Sequence, residues 1–577
     1  MKQLMVLTLS FFVLISTQAQ NLIPQNWKIK TGNDPQWSSP GFDDSDWLSI
    51  SPLQNWESQG IPDYDGYAWY RASVVIPSSL KSNAVYYSGL LLQLGKIDDV
   101  DSTFLNGVFI GKMGGFPPNF ETKFYAPREY LIPLDLILWD QPNVIAVKVF
   151  DVIGGGGLYG GPVEIFYNDL IKNLTIEAEF SHADFIIHDH DPKEAKLKIT
   201  NSTANTVSGN ILIDIISDFG KDISTISDDI KISAGKTIQL QIPLPSLEPG
   251  FYSLRICFRK EEFSRKVIVN FGVEPEKIKS PLTRQPDFDA YWARAKKELA
   301  AVDPQYKIRR IDSICTVTRN LYQVEMRSLG NVLIRAWYSV PVKPGKYPAI
   351  LALQGYSGSM QPFYANYGDT LIGLALDIRG HGNSKDNFNP GFPGYLQYQI
   401  GDKEQYVYRG AYMDCTRAVD FLFSRPEVDT TKIAVEGGSQ GGALTFATAA
   451  LNASRITVCV AQVPFLSDFE DYFRIATWPD NEFKAFVEVQ KKTGWQKVYE
   501  TLSYIDIKNL APMIKAPLLM GVGLKDEVCP PHINFAAYNQ VPGEKRYIAY
   551  PNNGHGLPDE MRGPKMDFIL EKFRMIR

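Results

Sequence analysis

The sequence predicts a multidomain chain: an N-terminal β-sandwich, a smaller Ig-like middle β-sandwich, and a C-terminal α/β domain with a mostly parallel sheet. Three observations carry this. At 577 residues the chain exceeds a single core, because domains run to about 100–200 residues each. Six of its ten tryptophans, Trp27, Trp37, Trp47, Trp56, Trp69 and Trp139, fall before residue 140 among short alternating runs and Gly/Pro/Asp turns, which is all-β texture. Beyond residue 275, near-continuous apolar runs alternate with amphipathic helical stretches.

Residues 1–19 show a lysine, an apolar run and a small-residue exit at Thr17-Gln18-Ala19, the pattern of a cleaved secretory signal. The run is shorter than the ~20 apolar residues of a membrane span. A secreted or periplasmic protein is expected, with no membrane insertion after cleavage. No cysteine follows the run, so lipid attachment there is excluded.

Residues 20–168 make the first sandwich and residues 169–275 the second. In the second, tryptophan disappears and period-2 runs such as GNILIDII and FYSLRICF recur between turns. After VEPEKIKSPLTRQP, residues 276–577 carry the runs PAILALQGY, TLIGLALDI, KIAVEGGS, ITVCVAQVP and APLLMGVGL, interleaved with helical stretches such as GAYMDCTRAVDFLFS and GGALTFATAALN. Apolar strands separated by amphipathic helices imply a parallel sheet covered on both faces, with ligands bound beyond the carboxyl ends of its strands. Because this segment has its own strands, a chain starting near Val273 is expected to fold alone.

Composition narrows the partners. A net charge of −5 over 59 basic and 64 acidic residues leaves no basic stripe and argues against nucleic acid. The five cysteines, Cys257, Cys315, Cys415, Cys459 and Cys529, are an odd number at irregular spacing, and read as buried thiols rather than a disulfide framework or metal site.

The chemistry-bearing motif is VEGGSQGGAL, Val435 to Leu444. Ser439 stands between a strand-like run and a helix-like run, with Gly437 and Gly441 two residues to either side. A nucleophile elbow needs tiny residues at those positions, because strand and helix approach closely around the strained serine. The pentapeptide alone arises by chance in a chain this rich in glycine, so its context decides.

A serine needs a base, usually a histidine oriented by a carboxylate. The chain has six histidines, and His182, His188 and His190 lie in the middle segment. Of the other three, His555 follows the last strand-like run, in YPNNGHGLP, as the order serine, acid, histidine requires. His381, in DIRGHGNS, is the alternative. His532, behind a Pro-Pro pair, reads as a first-turn surface residue. Asp526 leaves the strand-like run before His555 and is preferred as the acid over its neighbour Glu527, which faces solvent. The two oxyanion donors expected are the backbone amides of Gln440, which opens the helix after the serine, and of Tyr356, in the loop LALQGYSGS. A Tyr356 ring merely packed on that loop is the alternative. Acyl size should be set around Tyr356 and within Phe465 to Lys508.

With these residues in place, the segment from about Pro286 onward resembles the acetyl xylan esterases and cephalosporin-C deacetylases of carbohydrate esterase family 7. The matching stretches are PDFDAYWARA, LQGYSGS, DIRGHGNS, YVYRGAYMDCTRAVDFL, EGGSQGGAL, VPFLSDF and GLKDEVCPPHINFAAYN, in that order. The resemblance implies an α/β-hydrolase serine esterase acting on acetylated carbohydrate, with no metal or cofactor. It places the nucleophile on Ser439, the acid on Asp526, the base on His555, and the oxyanion amides on Tyr356 and Gln440. The chain departs from the family at His381, where Arg-Gly-Gln-Gly is usual, and at Gly556, where His-Glu is usual. The second departure bears on assembly contacts, so a homo-oligomer stays open. The N-terminal stretches GFDDSDW, GYAWYRASVVIP, LGKIDDVDSTFLNGVFIG and NVIAVKVFD resemble the galactose-binding-like sandwich of family 2 glycoside hydrolases. Such a domain either binds glycan or only shapes the cleft and the oligomer.

Two other classes remain open: a serine exopeptidase on the same core, and a non-catalytic glycan-binding protein. The first usually carries a propeller-sized N-terminal half, which two sandwiches do not make. The stretch HADFIIHDHD offers three histidines and aspartates suited to a metal, but reads as polar loop residues of a sandwich.

Overall fold

In the computed structural model, residues 22–575 are described, save 82–83, 85–88, 168–173, 204–205, 261–262, 363–367, 477 and 490–492. The leader read at residues 1–19 lies outside the described residues. Among these, no helix is long and apolar enough to cross a membrane. The chain divides into two compact units, Met1–Leu174 and Thr175–Arg577.

The first unit is a sandwich of two antiparallel sheets. Six strands, in the order Leu48–Ile50, Trp27–Thr31, Gly66–Val75, Pro142–Asp151, Val100–Leu105 and Val108–Met113, face three, Pro127–Ile132, Leu90–Asp98 and Gly157–Tyr167. Alternation along Pro142–Asp151 buries Val147 and Val149 against Trp27, Trp56 and Leu92 in one core. A buried polar network sits beside it: Arg128 pairs with Asp101 at 2.9 Å, and Asp101 also accepts from Tyr130 at 2.7 Å and Thr103 at 3.0 Å.

The second unit begins with another two-sheet sandwich. Leu174–Glu179, Glu194–Asn201 and Thr237–Pro243 form one sheet; Ile186–Ile187, Phe263–Val273, Gly250–Lys260, Val207–Ser217 and Asp222–Ile232 form the other. It is not a free body. Ile186 and Phe251 belong to the same buried cluster as the α/β core that follows, and the Phe251 and Phe535 rings lie 5.6 Å apart. The Asn270 amide donates to the Leu524 carbonyl at 2.7 Å.

The α/β part is a nine-stranded sheet. Its strands are β1 (Lys307–Arg310), β2 (Arg319–Arg327), β3 (Leu333–Pro341), β4 (Tyr347–Leu353), β5 (Ile372–Asp377), β6 (Val428–Gly438), β7 (Val458–Gln462), β8 (Leu518–Gly523) and β9 (Lys545–Tyr550). They lie in the order β1-β2-β3-β5-β4-β6-β7-β8-β9. The first four in that order pair antiparallel and β5 through β9 run parallel. Helices α1 (Phe288–Ala300), α2 (Val407–Phe423), α3 (Gln440–Leu451), α4 (Pro531–Tyr538) and α5 (Arg562–Lys572) accompany it. Successive residues of β4 and β6 point to opposite faces: Leu351 and Val435 join the core of α2 and α3, Ile350 and Ala434 the core of α5. Burial on both faces is why these runs are apolar without alternation.

Candidate active site

The site forms where β6 meets α3. Ser439 holds φ 58° and ψ −121°, a left-handed conformation that costs any residue with a Cβ and that only firm surroundings maintain. Its N–H donates to the Gln462 carbonyl at 2.9 Å, and its carbonyl accepts from Phe465 N–H at 3.0 Å, so the end of β7 and the segment after it clamp the turn. A Cβ on Gly437 would stand 2.5 Å from the Gly441 carbonyl, and one on Gly441 would stand 2.2 Å from the Leu353 oxygen. Both glycines answer to close backbone approach.

Asp526 leaves β8 and is buried, with a fully covered side chain, while the His555 side chain keeps 32% of its surface open. The Asp526 Oδ1 accepts from the amides of Val528 at 2.9 Å and Cys529 at 2.8 Å. His555 Nδ1 lies 2.9 Å from Oδ2 and 3.2 Å from Oδ1. A carboxylate only accepts, so Nδ1 carries the hydrogen and Nε2 is left with a lone pair able to take a proton. The two loops are tied directly, by Lys525 N–H to the Asn553 carbonyl at 2.9 Å. Glu527 is exposed.

Gln440 is the first residue of α3, so its N–H is one of the first-turn amides without an intrahelical acceptor. Its side chain is held three ways. Tyr408 O–H donates to Oε1 at 2.8 Å, while Nε2 lies 3.1 Å from His381 Nε2 and 3.4 Å from the Gly355 carbonyl. The His381 ring is buried and its Nδ1 faces the Arg379 carbonyl at 3.3 Å. Burial pushes this imidazole down to about 4, so it is neutral and accepts from Gln440. DIRGHGNS braces the neighbouring loop as well: Asp377 accepts from the amides of Met360 at 2.7 Å and Asn383 at 3.0 Å. Sequence reasoning saw in this motif an alternative base and a departure from the family at His381, and missed its hold on Gln440 and on the neighbouring loop. The signal was its density of polar residues after a fully apolar strand.

The Tyr356 ring lies 4.9 Å from Phe392, 5.6 Å from Trp478 and 6.5 Å from Phe465, with Phe465 and Trp478 stacked at 5.1 Å. The ring is thus packed against its neighbours. The two stretches expected to set acyl size, around Tyr356 and from Phe465 onward, meet in this aromatic wall.

His532 departs from its reading. It is 7% exposed, and its Nδ1 lies 2.8 Å from Asp218 of the middle sandwich. Burial lowers its pKa, but the Asp218 hydrogen bond and the charges of Asp218, Asp471 and Asp468 outweigh that and raise it overall. Of the cysteines, Cys415, Cys459 and Cys529 are buried and Cys257 and Cys315 half-buried, all five as free thiols. The HADFIIHDHD residues divide between two groups on the middle sandwich, His182 with His190 and Asp191, and His188 with Glu274 and Glu276. Neither group includes a residue of the Ser439 site.

A family model described as acetyl xylan esterase matches residues 274–570, more than half of the chain. The chain belongs to the acetyl xylan esterase family. It is therefore a carboxylic ester hydrolase. Acetyl esterase Axe7A of Xylanibacter ruminicola is 29% identical over 385 residues, 63% of this chain and 83% of that protein. Among solved structures, acetyl xylan esterase 1 from Thermoanaerobacterium sp. is 30% identical with a TM-score of 0.49, and the alignment covers 52% of this chain and 98% of that one. β-Galactosidase BoGH2A of Bacteroides ovatus, matching in the N-terminal region, is 23% identical over 45% of this chain but only 32% of its own length.

Proposed function

We propose that this acetyl xylan esterase family member removes acetyl groups from acetylated saccharides of the xylan or xylo-oligosaccharide type, through a Ser439–His555–Asp526 triad and an acetyl-enzyme. The observation that carries the reading is the Asp526-bound His555, with Nε2 left basic, in the same domain as a strained Ser439 at the end of a parallel strand. In the first step the Ser439 oxygen attacks the acetyl carbonyl carbon and His555 Nε2 takes its proton. Negative charge on the carbonyl oxygen is met by the amides of Tyr356 and Gln440. The intermediate collapses, the C–O bond to the sugar breaks, and the sugar oxygen leaves with the proton from His555. Water then attacks the acetyl-serine, giving its proton to His555, and acetate departs as Ser439 recovers its hydrogen. No step needs a metal or redox partner.

Support for an acetyl group comes from the family and from Axe7A, named an acetyl esterase. The N-terminal sandwich is read as galactose-binding-like and the middle one as Ig-like, the former supported by the β-galactosidase match. The leader pattern supports a secreted or periplasmic enzyme.

The test is turnover of 4-nitrophenyl acetate, 4-nitrophenyl butyrate and an X-Pro anilide, with acetate release from acetylated xylan and xylo-oligosaccharides, by the native chain and by Ser439→Ala. Fast acetate turnover without anilide cleavage is expected, together with loss of several orders of magnitude in the alanine variant. Anilide cleavage selects the exopeptidase reading, and absence of all turnover the glycan-binding one. Acetate release undiminished in Ser439→Ala would refute the triad.

A further inference from the structure

Two strand ends meet at one end of the N-terminal sandwich. Asp98 closes the strand Leu90–Asp98, Asp99 follows it, and Asp151 closes Pro142–Asp151. One carboxylate oxygen from each lies within 4.8 Å of the others. Asp99 is 6% exposed and Asp151 fully buried.

An acidic cluster by itself is common and signifies little. What sets this one apart is Asp151, because neither of its oxygens has a hydrogen-bond partner. The Ile153 N–H favours its charge. Buried carboxylates are otherwise paired, hydrogen-bonded or bound to metal, since an isolated one loses its hydration without compensation. Asp99, by contrast, is fixed: its side chain accepts from Val152 N–H at 3.1 Å and from the Thr122 hydroxyl.

Arg128, whose charge acts on Asp98, is already committed. Arg128 gives Nε to Asp101, Nη1 to the Lys123 and Ala126 carbonyls, and Nη2 to the Ile97 and Asp99 carbonyls. Glu57 and Asp65 add further negative charge around Asp151.

We propose that Asp98, Asp99 and Asp151 form a site for one hard divalent cation, Ca²⁺ in preference to Mg²⁺, at this end of the N-terminal sandwich. Carboxylate oxygens without nitrogen or sulfur select hard cations. Ca²⁺ suits the arrangement better, because it accepts irregular sets of six to eight oxygens, whereas Mg²⁺ demands near-octahedral geometry and keeps its water. Three carboxylates supply part of that set, leaving positions for water and backbone carbonyls. The role is structural: a cation here joins the ends of two strands from opposite sheets of the sandwich, one from Leu90–Asp98 and one from Pro142–Asp151. It belongs to no step of the esterase reaction.

The experiment uses the full chain, stripped with EDTA and exchanged into chelator-free buffer. Calorimetric titration with CaCl₂ and with MgCl₂ gives stoichiometry and affinity. Thermal unfolding is followed by tryptophan emission, which reports mainly on the N-terminal unit because six of the ten tryptophans precede residue 140. Expected are one Ca²⁺ per chain with a Kd between about 10⁻⁶ and 10⁻³ M, weaker Mg²⁺ binding, and a rise of several degrees in the tryptophan-detected transition with millimolar Ca²⁺. Asp151→Asn should weaken Ca²⁺ binding at least tenfold and abolish the rise. Asp98→Asn, at a half-exposed position, should do the same and serves if the first variant folds poorly. Small-ester turnover should be equal with and without EDTA. No Ca²⁺ or Mg²⁺ binding up to millimolar concentration, with Asp151→Asn simply stabilising the chain, would overturn the proposal in favour of a carboxylate cluster sharing a proton. Ca²⁺ binding unchanged in both variants would overturn it in favour of a site elsewhere.

Discussion

The two sandwiches have similar sequence texture and opposite relations to the rest of the chain. The first closes its own core around Trp27, Trp56 and Tyr70 and forms a compact unit by itself. The second shares Ile186 and Phe251 with the hydrolase core, donates Asn270 to the carbonyl of Leu524, and places Asp218 against His532, six residues after Asp526. Alternating runs announce strands in both. They do not announce where a core ends, and the segment bearing the proposed acid is braced by a domain that contains no proposed catalytic residue.

The largest effect that tests this contrast comes from two truncations. A chain starting at Thr175 should retain 4-nitrophenyl acetate turnover within a few-fold. One starting near Val273 should be insoluble or inactive, because it uncovers the partners of Phe251 and Ile186, each worth about 1.5–3 kcal/mol of burial, and leaves His532 without Asp218. Equal activity and melting temperature in both would erase the distinction, and would restore the simpler expectation of a hydrolase domain that folds alone.

A smaller effect concerns what the first sandwich does. If it engages glycan, the Thr175 chain should lose roughly tenfold more kcat/KM on acetylated xylan than on the small ester, since remote contacts help only a substrate long enough to reach them. Proportional loss on both would leave the sandwich no part in substrate recognition.

Smaller still, and pH-dependent, is Asp218→Asn. The His532 pKa is raised in the folded state, so the pairing contributes stability that is full below the unfolded value of about 6.5 and is lost as pH rises through the folded value. The variant should therefore lose about 1–3 kcal/mol near pH 6 and little at pH 9, read from denaturant midpoints. An equal loss at both values would mean that packing, rather than charge, holds the junction.

The smallest change expected is His381→Gln, which installs the residue usual in the family. Glutamine can also engage the Gln440 side chain, so activity should stay within about threefold. Its signature lies in acid stability. The folded His381 pKa is depressed to about 4, so its contribution is full above about 6.5 and is lost as pH falls from there towards 4. The glutamine variant should lose less stability over that window than the native chain does. Identical acid profiles would contradict a buried neutral imidazole.

These cases show why parts of the site were legible in sequence and others were not. The elbow glycines stand at fixed spacing from Ser439 and answer to a local collision, so a short window suffices. Asp526 and His555 follow from strand order. The hold on Gln440 joins Tyr408, His381 and Gly355, which no local pattern connects. His532 carried the marks of an exposed helix start, and partners far away in the chain, Asp218 and Phe219, lie against its ring. In the fold, apolar runs betrayed the parallel strands. The antiparallel strands β1 to β3 were not singled out, and β1, reading KIRR, is exposed along its length and offers no apolar signal.

The aromatic wall has a consequence for how such an enzyme can diversify. Tyr356, Phe392, Phe465 and Trp478 come from separate stretches of chain, none within a strand or helix; Phe465 belongs to the buried core, and the other three rings are partly buried and pack against it. Substitution at the partly buried Tyr356, Phe392 or Trp478 changes the wall without replacing a core residue of β6 or α3. The elbow has no such latitude, because any side chain at Gly437 or Gly441 collides with backbone. On the proposed esterase reading, single changes in the wall would alter the bulk of the acyl group accepted, while the elbow stays fixed.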